Sequence, residues 1–481
     1  MKKILFFLLL LTFSHRLIFS LQDVENYVQQ APFVVIIPSW QRFNRDISFL
    51  MKKFYDKNFT QTKQDLTLQS KSSFGIDIFE DKELERVGID ISKPLVYSHF
   101  SNDVGYLLIP VKSQRTFSKY AEKNLSQLNY KFFGDFVAIS KEKSLLNNLS
   151  AGEKLTGNKA FQIVQKKLDF KWNKYLIWIE SKFLSDITSS SGVTLNINIP
   201  YGFSCFSPEV SDTALIINGY SGTLSDEQKR FLSSIKEFEA KEKLNFMDYL
   251  LPSPAVIMVM NMNIPVLYRY YQFIDKVDIL GIKGFSKQLE EKYNVNIEKD
   301  IIFNGDGRVR FAIDKFDYQN NEYLVYGVYG LRDPVKAKIL IDNLNNAIIK
   351  NGEKVYSFEV FTYPFFRYPA SNYSVYYGII ENDLIFATDK TQLTNILQKL
   401  FKKEGGALEK YPEMLATANS KLNTGAFFYI DMQSFMGNIK GGDIQLNKDF
   451  FVNIRDATIS LIPDNETGYG WEAKIQLFWN K

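Results

Sequence analysis

The second half of the chain repeats the landmarks of the first half in the same order. A chain of this kind is restricted to two equivalent units, each burying an apolar face against its own helices or against its twin. APFVVIIPSW from Ala31 is a proline-led apolar run, and SPAVIMVMN from Ser253 restarts the pattern, with Pro32 and Pro254 separated by 222 residues. GDFVAISKEKSLLNNL from Gly134 is answered by NDLIFATDKTQLTNIL from Asn382, where Val137 and Ile385 are 248 apart. YLIWIESKF from Tyr175 is answered by AFFYIDMQSF from Ala426, where Ile179 and Ile430 are 251 apart. The offsets are similar but unequal, so insertions separate the copies. The expected organisation is a signal segment at 1–20, a first repeat with its connecting helix at 21–250, and a second repeat at 251–481.

Within each copy the patterning is mixed. Phe33 to Ile37 is apolar on both faces, as a central strand covered by helices would be. Ser39 then caps a helix whose Trp40, Phe43, Ile47, Leu50, Met51 and Phe54 form one buried stripe. The second copy restarts with Val256 to Met260, followed by Asn263 and Pro265 at a helix start. Strand pairs are expected at Leu95 to Phe100 and Val104 to Ile109, and again at Ile301 to Phe303 and Val309 to Ile313. Asp333 and Pro334 open a helix, and Ser140 and Thr388 are expected to cap two more. A capping box at Ser225 and Gln228 starts a charged helix reaching about Leu244. Ala473, Ile475, Leu477 and Trp479 alternate with Lys474 and Gln476, so one face of the closing strand meets water or the other copy. The expected class is α+β, with two related tandem domains, each an antiparallel-rich sheet carrying helices mainly on one face.

Residues 1–20 carry an address. Lys2 and Lys3 precede an apolar core from Ile4 to Phe13, and Ser20 suits a cleavage site. The core is too short to span a bilayer, which takes about twenty apolar residues. Export to the periplasm or outside the cell is expected, with no membrane span after cleavage and an uncleaved anchor as the alternative. Of 58 basic and 54 acidic side chains, Lys2, Lys3 and Arg16 belong to the signal; the remainder is balanced and has no basic block suited to nucleic acid. Cys205 is the only cysteine, so the fold relies on its core rather than on disulfides. Aromatic residues at 15% and apolar residues at 45% are ample for two such cores.

The recurrent order of proline-led strand, helix, Asp-Pro helix and Ser/Thr-led helix resembles a family of exported bacterial proteins classified only as a domain of unknown function. LPSPAVIMVMN, GLRDPVKAKILIDNL and NDLIFATDKTQLTNIL carry the resemblance; the first copy departs from it at Ser113, where the Asp-Pro start is missing. The resemblance implies an exported protein and brings no functional residues with it.

Reactive side chains are sparse. His99 is the only histidine beyond the signal, which excludes multi-histidine zinc sites, and its neighbour Ser98 points to the opposite face of a strand. His99 is read as a surface or strand-end residue. Cys205, in the loop-like YGFSCFSPEV, is read as a small buried hydrophobe. NGDG at Asn304 to Gly307 fails as a calcium loop, because the positions needing carboxylates hold Ile302 and Ile313; a tight turn between strands is expected. Glu180 and Asp431 occupy equivalent strand ends and would make a site only across a shared groove. No catalytic, cofactor-binding or metal-binding residue is assigned. The expected role is non-enzymatic, binding or scaffolding in the cell envelope, with an unidentified envelope protein or apolar ligand as partner. A carrier of an apolar or lipid-like ligand is the alternative, and a carboxylate-dependent hydrolase comes third.

Overall fold

The computed structural model describes residues 24–54, 59–101, 104–183, 202–223, 225–236, 254–274, 282–317, 320, 322–370, 373–402, 425–440, 452–464 and 470–480. The expected signal segment at 1–20 and the expected boundary near 250–252 lie outside these residues.

The protein is α+β. Its first half contributes β1 (Phe33–Ile37), β2 (Leu95–Ser101), β3 (Val104–Pro110), β4 (Asn129–Phe133), β5 (Phe136–Ser140), β6 (Leu176–Glu180), β7 (Phe203–Val210) and β8 (Ala214–Gly222). The second contributes β9 (Val256–Asn261), β10 (Gly305–Asp317), β11 (Glu322–Leu331), β12 (Tyr356–Val360), β13 (Tyr363–Pro369), β14 (Ser374–Ile380), β15 (Asp383–Ala387), β16 (Gly425–Asp431), β17 (Ile439–Lys440), β18 (Ile454–Pro463) and β19 (Gly470–Trp479). All join one sheet. Its pairings are antiparallel except where the two-residue β17 runs parallel to the end of β10.

From one edge the order is β4-β5-β3-β2-β1-β6-β7-β8. It continues as β19-β18-β16-β9-β10-β11-β15-β14-β13-β12. The two stretches meet where β8 pairs antiparallel with β19, Ile217 lying opposite Ile475. Counted outward from that junction, the opening strands β1 and β9 both stand fourth. At one end of the junction a Cβ on Gly470 would fall 1.9 Å from the Ser221 carbonyl oxygen. Only glycine permits the two backbones to approach so closely there.

β1 shows how the first half is covered. Phe33, Val35 and Ile37 enter a core with Trp40, Phe43, Ile47, Leu50 and Met51 of the helix Trp40–Phe54, and with Phe117 of the helix Gln114–Asn124. Val34 and Ile36 enter a second core with Leu146 of the helix Lys143–Asn148 and with Phe161 and Val164 of the helix Lys159–Lys167. Each such side chain contributes roughly 1.5–3 kcal/mol on burial. Helices therefore lie on both faces here, as the two apolar faces of Phe33 to Ile37 imply, which corrects the expectation that each domain carries its helices mainly on one face. A strand with two apolar faces exposes one of them to water unless both are covered.

Other expectations hold locally or shift. Ser39 and Ser113 cap their helices through Arg42 N and Thr116 N. Asp333 caps the helix Pro334–Lys350, accepting from Lys336 N. Ser140 and Thr388 do not act as the caps expected of them: the Ser140 hydroxyl donates to the Gly105 carbonyl at 2.6 Å, and the Thr388 hydroxyl to the Tyr323 carbonyl. Asp389, one residue on, accepts the Gln392 amide instead. Ile301 and Ile302 belong to a π-helical turn, Ile297–Ile302, rather than to a strand. Asn296 accepts from Lys299 N while Asp300 accepts from Asn296 N. These reciprocal caps decide the conformation of an apolar run too short for periodicity to settle. NGDG accordingly leads from that turn into β10 instead of joining two strands, with a register irregularity between Gly305 and Val309. The charged helix is described over Asp226–Lys236, and its expected continuation lies outside the described residues.

Candidate functional site

On the face of the first half that carries the helix Trp40–Phe54, the sheet and its helices leave a cavity of about 330 Å³. Its floor is built from same-facing residues of three adjacent strands. Tyr97 of β2 lies opposite Leu107 of β3, and Leu107 lies opposite Ile139 of β5. Gly105, opposite His99, leaves the next position of the floor without a side chain.

The roof comes from Phe117 and Tyr120 of the helix Gln114–Asn124, from the turn with Leu125 and Leu128, and from Ile76 and Ile78 after the helix Phe59–Phe74. Gly75 ends that last helix with φ +72°, and its amide bonds the Lys71 carbonyl. A left-handed residue at this place is the usual helix stop. The roof segment is then fixed by polar contacts. Ser70 Oγ donates to Ile76 O and accepts from Ile78 N, both at 2.8 Å. Trp40 Nε1 donates to Ile78 O at 2.7 Å, and Tyr120 Oη to Phe74 O at 2.7 Å. With its walls held this way, the space is preformed.

Polarity is uneven along it. Leu84, Phe117, Ile76, Ile89 and Ile109 line the inner part and are buried. Phe74 and Lys141 are exposed, and His99 and Leu128 are half-buried, so these residues mark the rim. Tyr97 Oη and His99 Nδ1 are 3.3 Å apart, and the His99 ring packs edge-on against Phe183.

The other residues singled out in the sequence lie elsewhere. Cys205 is in β7, not in a loop; opposite Tyr220 in β8, it is fully buried, and burial pushes its thiol pKa well up. That keeps it in the unreactive thiol form. Glu180 and Asp431 do not share a groove. Five strand-to-strand steps separate β6 from β16, about 24 Å at the usual spacing. Asp431 accepts the Ser434 amide at the start of the helix Met432–Asn438. Glu180 is raised in pKa chiefly by burial.

Three clusters not singled out in the sequence hold buried charge. Asp46 receives Arg45 Nη2 at 2.8 Å and the Tyr175 hydroxyl at 3.3 Å, and burial raises its pKa to about 6. Asp383, 3.1 Å from Arg308 Nη2, is likewise raised to about 6 by burial. Lys167 and Asp464 form a third pair, with the Tyr220 hydroxyl donating to Asp464 at 2.8 Å. Among the described residues no group of three or more His, Cys, Asp or Glu could hold a metal ion. No helix among them is long and apolar enough to cross a membrane.

No family model matches the sequence. No curated protein and no solved structure matches the chain either.

Proposed function

We propose that the chain is a non-enzymatic binding protein that takes an apolar ligand into the cavity between β2, β3, β5 and the helices above them. The observation that carries this reading is a preformed space of about 330 Å³ with an inner wall of Leu84, Ile89, Ile109 and Phe117. Ligand pockets commonly begin at about 300 Å³ and are mostly apolar. An inner wall as apolar as this one offers water few partners and favours an apolar guest. Enzymatic chemistry finds less support, since the candidate thiol is buried and the two equivalent carboxylates stand far apart.

The test is a titration with naphthalene, followed by its fluorescence. Saturable one-to-one binding is expected, and it should be lost in Leu107→Trp and Leu128→Trp, which place a larger side chain at the floor and at the rim. Binding that persists unchanged in both folded variants, or no binding to the native chain, counts against the cavity.

The proposal includes export through the segment at 1–20. N-terminal sequencing of the secreted chain should begin at or near Leu21, and a chain retaining Met1 in the membrane pellet would favour the anchor instead. It also includes an origin by duplication into two related units, supported by the shared strand succession on either side of the β8–β19 junction. Scaffolding remains a second reading, favoured by the half-buried apolar side chains of Ile217, Ile459, Leu461 and Ile475 along that junction.

A further inference from the structure

We infer that the ligand of this cavity is a single-chain amphiphile with an anionic head, its tail directed towards Leu84 and Ile89 and its head held at the rim by Lys141 and His99. This rests on the cavity being a binding site.

Size limits the tail. A cavity of 150 Å³ accommodates benzene, so by proportion 330 Å³ takes about a dozen non-hydrogen atoms. Volume also sets the number of chains. Along β3 the floor runs from Gly105 to Ile109, four residue steps or about 13 Å. Room for about a dozen non-hydrogen atoms is filled by one alkyl chain and leaves none for a second.

The rim sets the head group. The inner lining offers hydrocarbon, and its polar atoms are already engaged: Trp40 Nε1 and Tyr120 Oη each donate to a roof carbonyl. The Ser140 hydroxyl is committed to Gly105 O and to the Glu142 amide. A buried polar head would find no donor there and would lose its hydration. Lys141 stands at the exposed end, and among the described residues it forms no ion pair. The His99 imidazole lines the same end. A carboxylate or similar anion placed here keeps contact with water while it accepts charge-assisted hydrogen bonds from the ammonium. A cationic head would meet the Lys141 charge instead.

Isothermal titration of the full chain with dodecanoate, dodecanol and dodecylammonium, all below their micellar concentrations, separates the contributions. Dodecanoate is expected to bind about two- to fivefold more tightly than dodecanol, the range given by one exposed charged contact. Dodecylammonium should bind more weakly than dodecanol. Lys141→Glu should reverse the order of the two ions and leave dodecanol affinity within about twofold; His99→Ala should narrow the preference for dodecanoate. Equal affinity for all three, or an equal loss of all three in Lys141→Glu, overturns the assignment of the head group while the apolar site stands. Failure of all three, together with failure of naphthalene, overturns the cavity itself.

Discussion

The Lys167 ammonium and the Asp464 carboxylate lie 2.6 Å apart, although 297 residues separate them in the chain. Lys167 ends a helix of the first half and Asp464 follows β18 in the second, so the pair clasps the two halves beside the β8–β19 junction. Both side chains are buried, at 8% and 1% exposure. Removing one partner of a buried pair leaves the other charge desolvated, at a cost of about 3–5 kcal/mol. Lys167→Met should therefore lower stability by about that amount in urea denaturation, and Lys167→Met with Asp464→Asn should recover part of the loss. If the single variant unfolds at the native midpoint, the pair contributes nothing to holding the halves together.

Filling the cavity should reduce binding without a matching loss of stability. Leu107 is only half-buried on the floor, so Leu107→Trp extends into empty space and avoids most of the roughly 1–3 kcal/mol that overpacking costs in a filled core. The expected outcome is a thermal midpoint within a few degrees of the native chain and naphthalene binding at least about tenfold weaker, a loss of about 1.4 kcal/mol. Circular dichroism and fluorescence titration on one sample check both quantities.

Cys205 should be silent in the folded chain. Its side chain is 0% exposed, and burial holds the thiol pKa well above the ordinary range. Because the thiolate is the reacting species, a disulfide reagent at neutral pH should find no accessible thiol in the native protein and one per chain in denaturant. Rapid modification of the native chain would mean that β7 opens.

Stability should fall as pH rises from about 4 to about 6, as far as Asp46 and Asp383 are concerned. Both have a folded pKa of about 6 against an ordinary value of 3.8, with burial the largest cause. Between those values the folded state binds more protons than the unfolded state, so the unfolding free energy decreases as pH rises and levels off above about 6. Urea titrations at pH 5 and pH 7 on the native chain and on Asp46→Asn with Asp383→Asn test this. The double variant should lose less stability than the native chain between the two values. An unchanged pH slope would exclude the two carboxylates as its source.

Much of the local structure was legible because its signals are local. The two apolar faces of Phe33 to Ile37, the stripe from Trp40 to Met51 and the Asp333-Pro334 start each follow from side-chain periodicity or from one capping bond within four residues. Those signals weaken where several outcomes have similar local patterns. Ile301 and Ile302 are expected in a strand, and the caps that Asn296 and Asp300 close put them in a helical turn instead. Cys205 lies between serines and near Pro208, which read as loop, yet pairing with both β6 and β8 made that segment a strand.

By itself the sequence determined the alternation of strands and helices, the apolar stripes that drive their packing, and the scarcity of reactive side chains. Only the tertiary structure decided which strands became neighbours, which helices cover each face of the first half, and that Lys167 meets Asp464. It alone placed His99 and Lys141, 42 positions apart, at the rim of one cavity. The reason is physical: periodicity and caps act over a few residues, whereas a cavity is unfilled space between elements far apart in the chain, and no local pattern encodes it.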